Sequence, residues 1–298
     1  MKRRSQNKIK LSASEKFFYA TVYLMVGIFG ISVLYPIIYV VSSSFSAPSA
    51  VMSGQVLLWP VNPTISGYKA VLNNNDILLG FRNSLFYMIV GTLINLILTI
   101  LAAYPLSRND VPGKGYVMFL FTFTMIFNAG MIPNYLLIKS LGLINTRWAM
   151  LLPGALSVYN MIVMRTFFMS SIPGELLEAS KLDGCTDMQY LVRVVMPLSK
   201  PIVAVICMYY AVAHWNAYFN AFLYLSKKEL YPLQIFLRNI LVSNQVSSDM
   251  MSEFSDNVGL EYILKYALIV IATIPMLIIY PMVQKHFQKG VMIGAVKG

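Results

Sequence analysis

Long uncharged apolar runs recur along this chain, and they limit its fold more than any other feature. Between Phe17 and Val41 no charged residue occurs, and at about 1.5 Å per helical residue such a run crosses a hydrocarbon core of about 30 Å. Hydrophobic residues make up 57% of the 298 residues, and the mean hydropathy of +0.65 is far above that of water-soluble domains. We therefore expect a membrane protein. The first run is longer than the apolar region of a cleaved signal peptide, so we expect it to be retained.

Six such runs predict six transmembrane helices, because a helix satisfies its backbone hydrogen bonds internally. The expected fold class is all-α, a polytopic membrane protein with an additional helix-turn-helix loop on its cytoplasmic side. The transmembrane domain is expected at residues 17–283, between tails of residues 1–16 and 284–298. The predicted spans are residues 17–41, 83–104, 116–138, 148–164, 201–225 and 262–282.

Basic residues at both ends of the chain predict its orientation. Lysine and arginine favour the cytoplasmic side of a membrane. They are concentrated before the first run and again after the sixth, where Lys285, Lys289 and Lys297 stand with no acidic residue among them. Both termini are therefore expected in the cytoplasm, with residues 105–115 and 165–200 on the same side. The outer loop of residues 226–261 then holds the acidic residues Asp249, Glu253, Asp256 and Glu261.

Several functional classes are disfavoured by what the sequence lacks. No G-x-x-x-x-G-K-[ST] nucleotide-binding motif occurs, since residues 112–115, Pro-Gly-Lys-Gly, have neither its spacing nor a preceding strand. Two cysteines cannot form a disulfide framework, and two distant histidines give no metal-ligand spacing. The acidic residues lie outside the apolar runs, whereas ion-coupled carriers bury ionisable groups. The net charge of +11 is a topology signal that also attracts anionic lipid headgroups, so nucleic acid is not an expected partner.

The inner loop after the fourth run predicts two short helices joined by a sharp turn. Pro173 suits a first helical position, and Gly184 suits the turn that ends the first helix. Thr186 and Gln189 have the spacing of a capping box, so a second helix is expected to start there. Pro197 is expected to end it.

Residues 171–200 allow two interpretations from their pattern alone. Both helices mix apolar and charged side chains and are too short to span a membrane, which suits a docking surface for a cytoplasmic protein. The same pattern suits an amphipathic pair that lies on the membrane or folds over the bundle's own inner mouth. The apolar or small side chains are Leu176, Leu177, Ser180 and Leu182 on the first helix, and Tyr190, Leu191, Val194 and Val195 on the second.

The spacing within this loop resembles the EAA loop of the permease subunits of ABC importers. That pattern is Glu-Ala-Ala, three residues, Gly, nine residues, and Ile-x-Leu-Pro. The chain matches it from Glu178 to Pro197, with Ser180, Val194 and Met196 as conservative replacements.

Further stretches, residues 131–146, 164–186 and 214–219, resemble carbohydrate-uptake permeases related to the smaller permease of the maltose importer. The tail of residues 288–298 looks like a subgroup often associated with oligosaccharides. The resemblance implies a subunit of the bacterial cell membrane that forms half of a sugar pathway. Its implied partners are a homologous second permease, two cytoplasmic ATPase subunits and an extracellular solute-binding protein, besides membrane lipids. ATP and Mg²⁺ would lie in the ATPase subunits, so no cofactor, metal or catalytic residue is expected in this chain.

The same resemblance assigns roles within the loop. Gly184 allows a backbone conformation that a side chain resists, Ala179 lets the helix seat closely, and Glu178 can pair with an arginine of the ATPase. The expected coupling residues are Glu178, Ala179, Ser180, Asp183, Gly184, Thr186 and Pro197.

The fifth run combines aromatic and hydrogen-bonding side chains, which suit the apolar faces and hydroxyls of sugars. Packing between helices or an aromatic belt at the interface explains any one of them as well, and in the maltose relatives sugar contacts can come mainly from the partner subunit. The candidate solute-pathway residues are Tyr209, Tyr210, His214, Trp215, Asn216, Tyr218 and Asn220, with His214 and Trp215 favoured. Asn128, Asn134 and Asn160 are weaker candidates, and Lys265 is expected to extend its amine towards the interface.

Three alternatives remain open from the sequence. The first is an importer of the same architecture for a non-sugar solute, such as a peptide or polyol. The second is a secondary carrier or channel that works alone, and the third is a membrane scaffold that uses the loop only for docking.

Overall fold

The structure is a computed structural model that describes residues 12–242 and 259–295. The basic residues before position 12, the acidic Asp249, Glu253 and Asp256, and Lys297 lie outside the described residues. The orientation inferred from these charges therefore stays a prediction.

Helices form the regular structure of the described residues, and no strand occurs among them, so the all-α class is confirmed. A π-helical turn, Leu191–Val195, lies within α10. In chain order the helices are α1 (Ala13–Ser44), α2 (Pro48–Met52), α3 (Ser66–Asn73), α4 (Asn75–Ser107), α5 (Lys114–Ile126), α6 (Met131–Ser140), α7 (Trp148–Leu151), α8 (Val158–Ser171), α9 (Gly174–Leu182), α10 (Asp187–Leu198), α11 (Lys200–Trp215), α12 (Tyr218–Tyr224), α13 (Leu233–Val242) and α14 (Leu260–Ala295).

The described residues form two compact units, one of residues 12–70 with 259–270 and one of residues 71–242 with 271–295. In the first unit α1 starts at a capping box, in which Ser12 N donates to the Glu15 carboxylate at 2.7 Å. Most side chains of α1 are exposed within this chain. In a bilayer such a helix is covered by lipid or by another subunit.

In the second unit α4 is central, and α8, α11 and α13 pack along it. Without water to exclude, helices in lipid associate through close packing and interhelical hydrogen bonds, and α4 provides both. A buried apolar cluster of this unit contains Ala103, Tyr104, Leu106, Met161, Met164, Phe168, Tyr190, Leu191, Val195, Ile202, Ile206 and Tyr210.

A row of hydrogen bonds, here called the polar seam, joins α4 to its neighbours and consists of Asn95, Thr99, Ser157, Tyr210 and His214. The Thr99 hydroxyl lies 2.7 Å from the Tyr210 hydroxyl, which also accepts a hydrogen bond from Ser157 N at 3.1 Å. Asn95 accepts a hydrogen bond from His214 Nε2 at 3.1 Å. Because an unpaired polar group in hydrocarbon costs several kcal/mol, the seam fixes how α4, α8 and α11 face one another.

Three predicted spans are each divided between two helices instead of forming one. Residues 116–138 fall on α5 and α6, which meet at an angle of 113°. The break occurs because Gly130 adopts a φ of +85° and its amide donates to Asn128 Oδ1 at 2.8 Å. Residues 148–164 are divided between α7 and α8 by a turn in which Gly154 has a φ of +74°. The expectation of a single helix for each of these runs is therefore wrong.

The fifth run, residues 201–225, is also divided, between α11 and α12. Among the described residues, three helices are long and apolar enough to cross a membrane: α1, α4 and the part of α14 from Tyr262 to Pro281. The number rises to at most five if each bent pair of helices is one span. The count of six spans stays a prediction.

Candidate functional site

The predicted helix-turn-helix is present, and we call residues 173–198 the elbow. Its first helix, α9, ends where Gly184 adopts a φ of +74°, and the Gly184 amide donates to Lys181 O at 3.1 Å. Its second helix, α10, starts at the expected capping box: the Thr186 hydroxyl accepts from Gln189 N at 3.3 Å, and Thr186 N donates to Gln189 Oε1 at 2.9 Å. These local bonds fix the turn without help from the remaining chain.

Two details of the elbow differ from the prediction. Pro173 is the residue before α9, with extended backbone at φ −61° and ψ 140°, so the helix begins one residue later than expected. Pro197 does not end α10, which continues to Leu198 before a bend of 85° leads into α11. The π-helical turn before Pro197 widens the helix, which accommodates the proline ring and moves the break to Ser199.

The elbow has one buried face and one exposed face. The Tyr190, Leu191 and Val195 side chains are buried in the apolar cluster of the bundle, as the interpretation of the loop as a cover over the bundle predicts. At the tip, in contrast, Leu182 is 89% exposed and Met188 is 58% exposed. A leucine so fully exposed beside a rigid turn suits burial by another protein. The buried face agrees with the loop as a cover over the bundle, and docking of a cytoplasmic protein on the exposed face stays a prediction.

The predicted coupling residues lie along this exposed side. Ser180 is half-buried, and its hydroxyl donates to Leu176 O within the same helix at 2.7 Å. The other coupling residues are exposed, and the coupling role of the whole set stays a prediction. The exposed members are Glu178, Ala179, Asp183, Gly184, Thr186 and Pro197.

A group of polar side chains, here called the clamp, joins the elbow to the short loop after α4 and consists of Tyr104, Arg108, Asp110, Lys181 and Asp187. The Arg108 guanidinium donates to Asp110 through Nε at 2.8 Å and through Nη2 at 2.5 Å. Its Nη1 donates to the Asp187 carboxylate and, at 3.0 Å, to the Tyr104 hydroxyl. Lys181 Nζ on α9 donates to Asp110 Oδ2 at 2.8 Å. Both elbow helices are thereby bonded to the end of α4.

The charges of the clamp are well matched. Hydrogen bonds from Arg108 and then from Lys181 hold the pKa of the Asp110 carboxyl well below its usual range. The hydrogen-bonded Asp110 raises the pKa of Arg108, although burial opposes this. The Arg108 side chain is only 10% exposed, against 41% for Asp110, so the arginine is the sheltered centre of the clamp. Both shifts favour the charged forms of Arg108 and Asp110 near neutral pH.

The clamp is not among the residues predicted from the sequence. By sequence, residues 105–115 are only an inner loop without a nucleotide-binding motif. The signal was the Arg-Asn-Asp triplet at positions 108–110, directly after an apolar run and opposite a loop rich in charges. The triplet alone does not predict Lys181 or Asp187 as its partners, because those residues come more than 70 positions later in the sequence.

The structure places three of the candidate solute-pathway residues inside the bundle. Tyr210 is 3% exposed and belongs to the polar seam, and His214 bonds to Asn95 there. Trp215 is 1% exposed, donates from Nε1 to Ala272 O at 2.9 Å, and meets Phe81 edge-on. These bonds give the three side chains packing roles. Contact between them and a solute stays a prediction.

The remaining candidates lie nearer the surface. Tyr209, Asn216 and Tyr218 are exposed and Asn220 is half-buried. Because positions 209, 212, 213 and 216 recur at helical spacing and are all exposed, they form an open stripe along α11. The weaker candidates are divided: Asn128 and Asn134 are exposed, and Asn160 is buried in α8. Lys265 Nζ lies 5.0 Å from the centre of the Tyr266 ring.

Comparison with known proteins gives a consistent result. The family of binding-protein-dependent transport system inner membrane components matches residues 77–293. The polygalacturonan/rhamnogalacturonan transport system permease protein YtcP of Bacillus subtilis (strain 168) is 39% identical over 95% of this chain and 99% of its own length. Protein LplC of the same organism is 37% identical over 96% of both chains.

A solved structure agrees in fold as well as in sequence. A crystal structure of a bacterial ABC transporter involved in the import of the acidic polysaccharide alginate contains a chain that matches this one with a TM-score of 0.89 at 37% identity. The match covers 94% of this chain and all of the other. The recognition from the EAA spacing is thereby confirmed, and the chain is a non-catalytic membrane subunit. Such a subunit implies a partner ATPase, a solute-binding protein and a second permease. This chain belongs to the binding-protein-dependent transport system inner membrane component family and is a permease subunit of a bacterial ABC importer.

Proposed function

We propose that this subunit forms half of the pathway of an oligosaccharide importer and that its elbow receives the motion of an ATPase subunit. The observation that carries the proposal is the elbow itself. It is capped at its turn, bonded to α4 by the clamp, and exposes Leu182 at its tip. A rigid element with one anchored face and one open apolar face is suited to transmit force from a docked protein to the bundle.

The complete importer would contain a homologous second permease, two cytoplasmic ATPase subunits and an extracellular solute-binding protein. ATP and Mg²⁺ would be held by the ATPase subunits, and this chain would contribute only the docking surface and its half of the pathway. With the elbow docked on cytoplasmic ATPases, α9 and α10 face the cytoplasm. Both chain termini are then proposed to lie on the same side, as the basic residues of the tails favour.

Motion of the elbow has two routes into the bundle. The clamp bonds Lys181 on α9 and Asp187 on α10 to Arg108 and Asp110 at the end of α4. The covalent route passes from α10 through the bend at Ser199 into α11. Because the polar seam joins α4 to α11, displacement of the elbow moves both helices together and can switch the pathway between its inward-facing and outward-facing forms.

The proposed solute class is an oligosaccharide. The names of relatives support it: besides YtcP, the galactooligosaccharides transport system permease protein GanQ of Bacillus subtilis (strain 168) is 27% identical over 93% of this chain. The exposed Tyr209, Asn216 and Tyr218 side chains supply the aromatic faces and amide that sugars use.

Reconstitution of the complex in proteoliposomes tests whether this chain is a subunit of an ATP-driven oligosaccharide importer. The chain should co-purify in mild detergent with an ATPase and a sister permease, and proteoliposomes of the complex with its binding protein should take up oligosaccharide only when ATP is present. Proteoliposomes of this chain alone should take up none. Uptake by the chain alone, driven by a solute or ion gradient, would instead establish a secondary carrier and refute the proposal. Uptake of peptides or polyols but of no saccharide would refute the solute class alone.

A double-mutant cycle tests the clamp. Lys181→Gln removes the Lys181–Asp110 ion pair alone, and it should lower the amount of solute transported per ATP hydrolysed by roughly 1.4- to fivefold, as expected for about 0.2–1 kcal/mol. Asp110→Asn removes that pair and the pair with Arg108, so its loss should be at least as large. Because the Lys181–Asp110 pair is already lost in Asp110→Asn, the double variant should be little worse than Asp110→Asn alone. Lys200→Gln, which removes an exposed lysine outside the clamp, is the matched control and should leave the ratio unchanged. Additive losses, or an equal loss in the control, would show that the clamp does not transmit motion.

A further inference from the structure

A recess lies between α12 and α13, away from the elbow and the clamp. Its volume is about 310 Å³, comparable with the smaller ligand sites of proteins. Its lining combines one cation, one amide, one aromatic ring and aliphatic side chains: Tyr218, Gln234, Leu237, Arg238, Leu241 and Val242. Tyr218 was already a candidate solute-pathway residue from the sequence.

Arg238 is the unusual member of this lining. Its guanidinium carbon lies 4.6 Å from the centre of the Phe222 ring, so the ring orients the cation. A guanidinium has five N–H donors, and in the described residues Arg238 uses one of them, from Nη1 to Asn239 Oδ1 at 3.4 Å. No Asp or Glu of the described part of the chain forms an ion pair with it. An oriented arginine that has free donors among the described residues and lies at a recess is suited to bind an anion.

The neighbouring side chains define which anion fits. Tyr218 is 45% exposed and offers a ring face to the C–H groups of a sugar. Gln234 offers both a donor and an acceptor to hydroxyl groups, and the guanidinium matches a carboxylate in a two-point hydrogen bond. We propose that this recess is a subsite for the carboxylate-bearing sugar unit of an acidic oligosaccharide. The proposal rests on the proposed function and narrows its substrate class from oligosaccharides to uronic-acid-containing ones.

The location of the recess fits the arrival of a solute. Leu233 N at the start of α13 donates to Ser84 Oγ of α4 at 2.8 Å, and the Phe236 ring packs against Gly80. The clamp lies at the other end of α4, where Tyr104 belongs to it. Twenty helical residues separate Ser84 from Tyr104, which at about 1.5 Å per residue is about 30 Å, the thickness of a hydrocarbon core. The recess therefore lies beside the end of α4 opposite to the docked ATPase.

Kinetics with two matched solutes test the subsite. The complete complex in proteoliposomes would be given oligogalacturonate and a neutral galactooligosaccharide of equal length. The parent complex should take up the acidic solute. Arg238→Gln should raise the KM for the acidic solute at least tenfold, as expected for a lost charge-assisted hydrogen bond, and leave the KM for any neutral solute carried within about twofold. Arg238→Lys should lie between the two, because lysine keeps the charge but loses the planar fork.

The control is Lys227→Gln, which removes an exposed positive charge from the loop before α13. It should leave the ratio of acidic to neutral uptake unchanged. An equal fall in that ratio for Lys227→Gln and Arg238→Gln would show a general surface potential and overturn the subsite. Equal losses for both solutes in Arg238→Gln would show a packing role and overturn it too. A parent complex that carries only the neutral solute overturns the subsite but leaves the proposed function standing, whereas one that carries no saccharide at all refutes both.

Discussion

Gly91→Ala is the sharpest test of the polar seam. A methyl group on Gly91 would lie 2.4 Å from His214 Nε2 and 2.5 Å from His214 Cε1, whereas ordinary contacts begin at 3.4 Å. The imidazole must therefore retreat by about 1 Å, the difference between 3.4 and 2.4 Å, and it cannot do so without breaking its 3.1 Å bond to Asn95. The same Asn95 amide donates to Gly91 O at 2.9 Å and to Ala155 O at 3.3 Å, so the disturbance reaches the turn before α8.

The cost follows from these distances. Overpacking of a tight interior costs about 1–3 kcal/mol, and the lost hydrogen bond adds about 1 kcal/mol. We expect thermal unfolding of purified Gly91→Ala in detergent to shift down by several degrees. Gly30→Ala is the control, because Gly30 is also helical and nothing lies within 4 Å of its added methyl group. His214→Ala in the Gly91→Ala background should recover part of the loss by making room. If Gly91→Ala unfolds at the same temperature as Gly30→Ala, or if the second change brings no recovery, the seam does not have the tight contact described.

Three further predictions concern the elbow and the clamp. Gly184→Ala should lower the free energy of unfolding by about 1–2 kcal/mol through its φ of +74° alone, since nothing surrounds the added methyl group. Gly184→Pro should abolish the coupling of ATP hydrolysis to transport. Transport by Gly184→Pro at the parental rate would contradict the coupling role. Leu182→Asp should release the ATPase on size-exclusion chromatography without changing the unfolding temperature of this subunit. The control is Leu141→Asp, at a leucine that is also exposed but lies at the end of α6, and it should not release the ATPase. Co-elution of both variants with the ATPase would contradict docking at the tip. Because the pKa of Asp110 is lowered, its stabilising contribution is complete above the unfolded pKa of about 3.9 and is lost as pH falls through the folded pKa. In thermal unfolding, Asp110→Asn should therefore be less stable than the parent at pH 7 and equally stable in strong acid. An equal difference in stability at both pH values would contradict this.

Local sequence rules predicted the elbow well because its turn is fixed by neighbours in the chain. The capping box of Thr186 and Gln189 and the positive φ of Gly184 need no distant partner. The same rules placed the turn but not the end of α10. Pro197 acts through the geometry of the preceding turn, and the π-helical residues before it could not be inferred from composition.

Distant pairings were out of reach of such rules. Arg108 meets Asp187 across 79 positions of sequence, and Thr99 meets Tyr210 across 111. In the fifth apolar run, the sequence alone does not distinguish tyrosine, histidine and tryptophan side chains that contact a solute from those that pack against a neighbouring helix. Only the structure shows that the Tyr210 hydroxyl and the Trp215 Nε1 are already bonded within the chain.

The polar seam also limits how this subunit can move. Sliding α4 along α11 by one turn would separate each of its bonded groups from its partner, in a medium that offers no substitute. The helices joined by the polar seam must then move as one rigid body. Bending can occur at the helix breaks at Ser199 and at residues 127–130. We therefore expect the pathway to open and close by bending at these hinges and not by sliding of one helix along another.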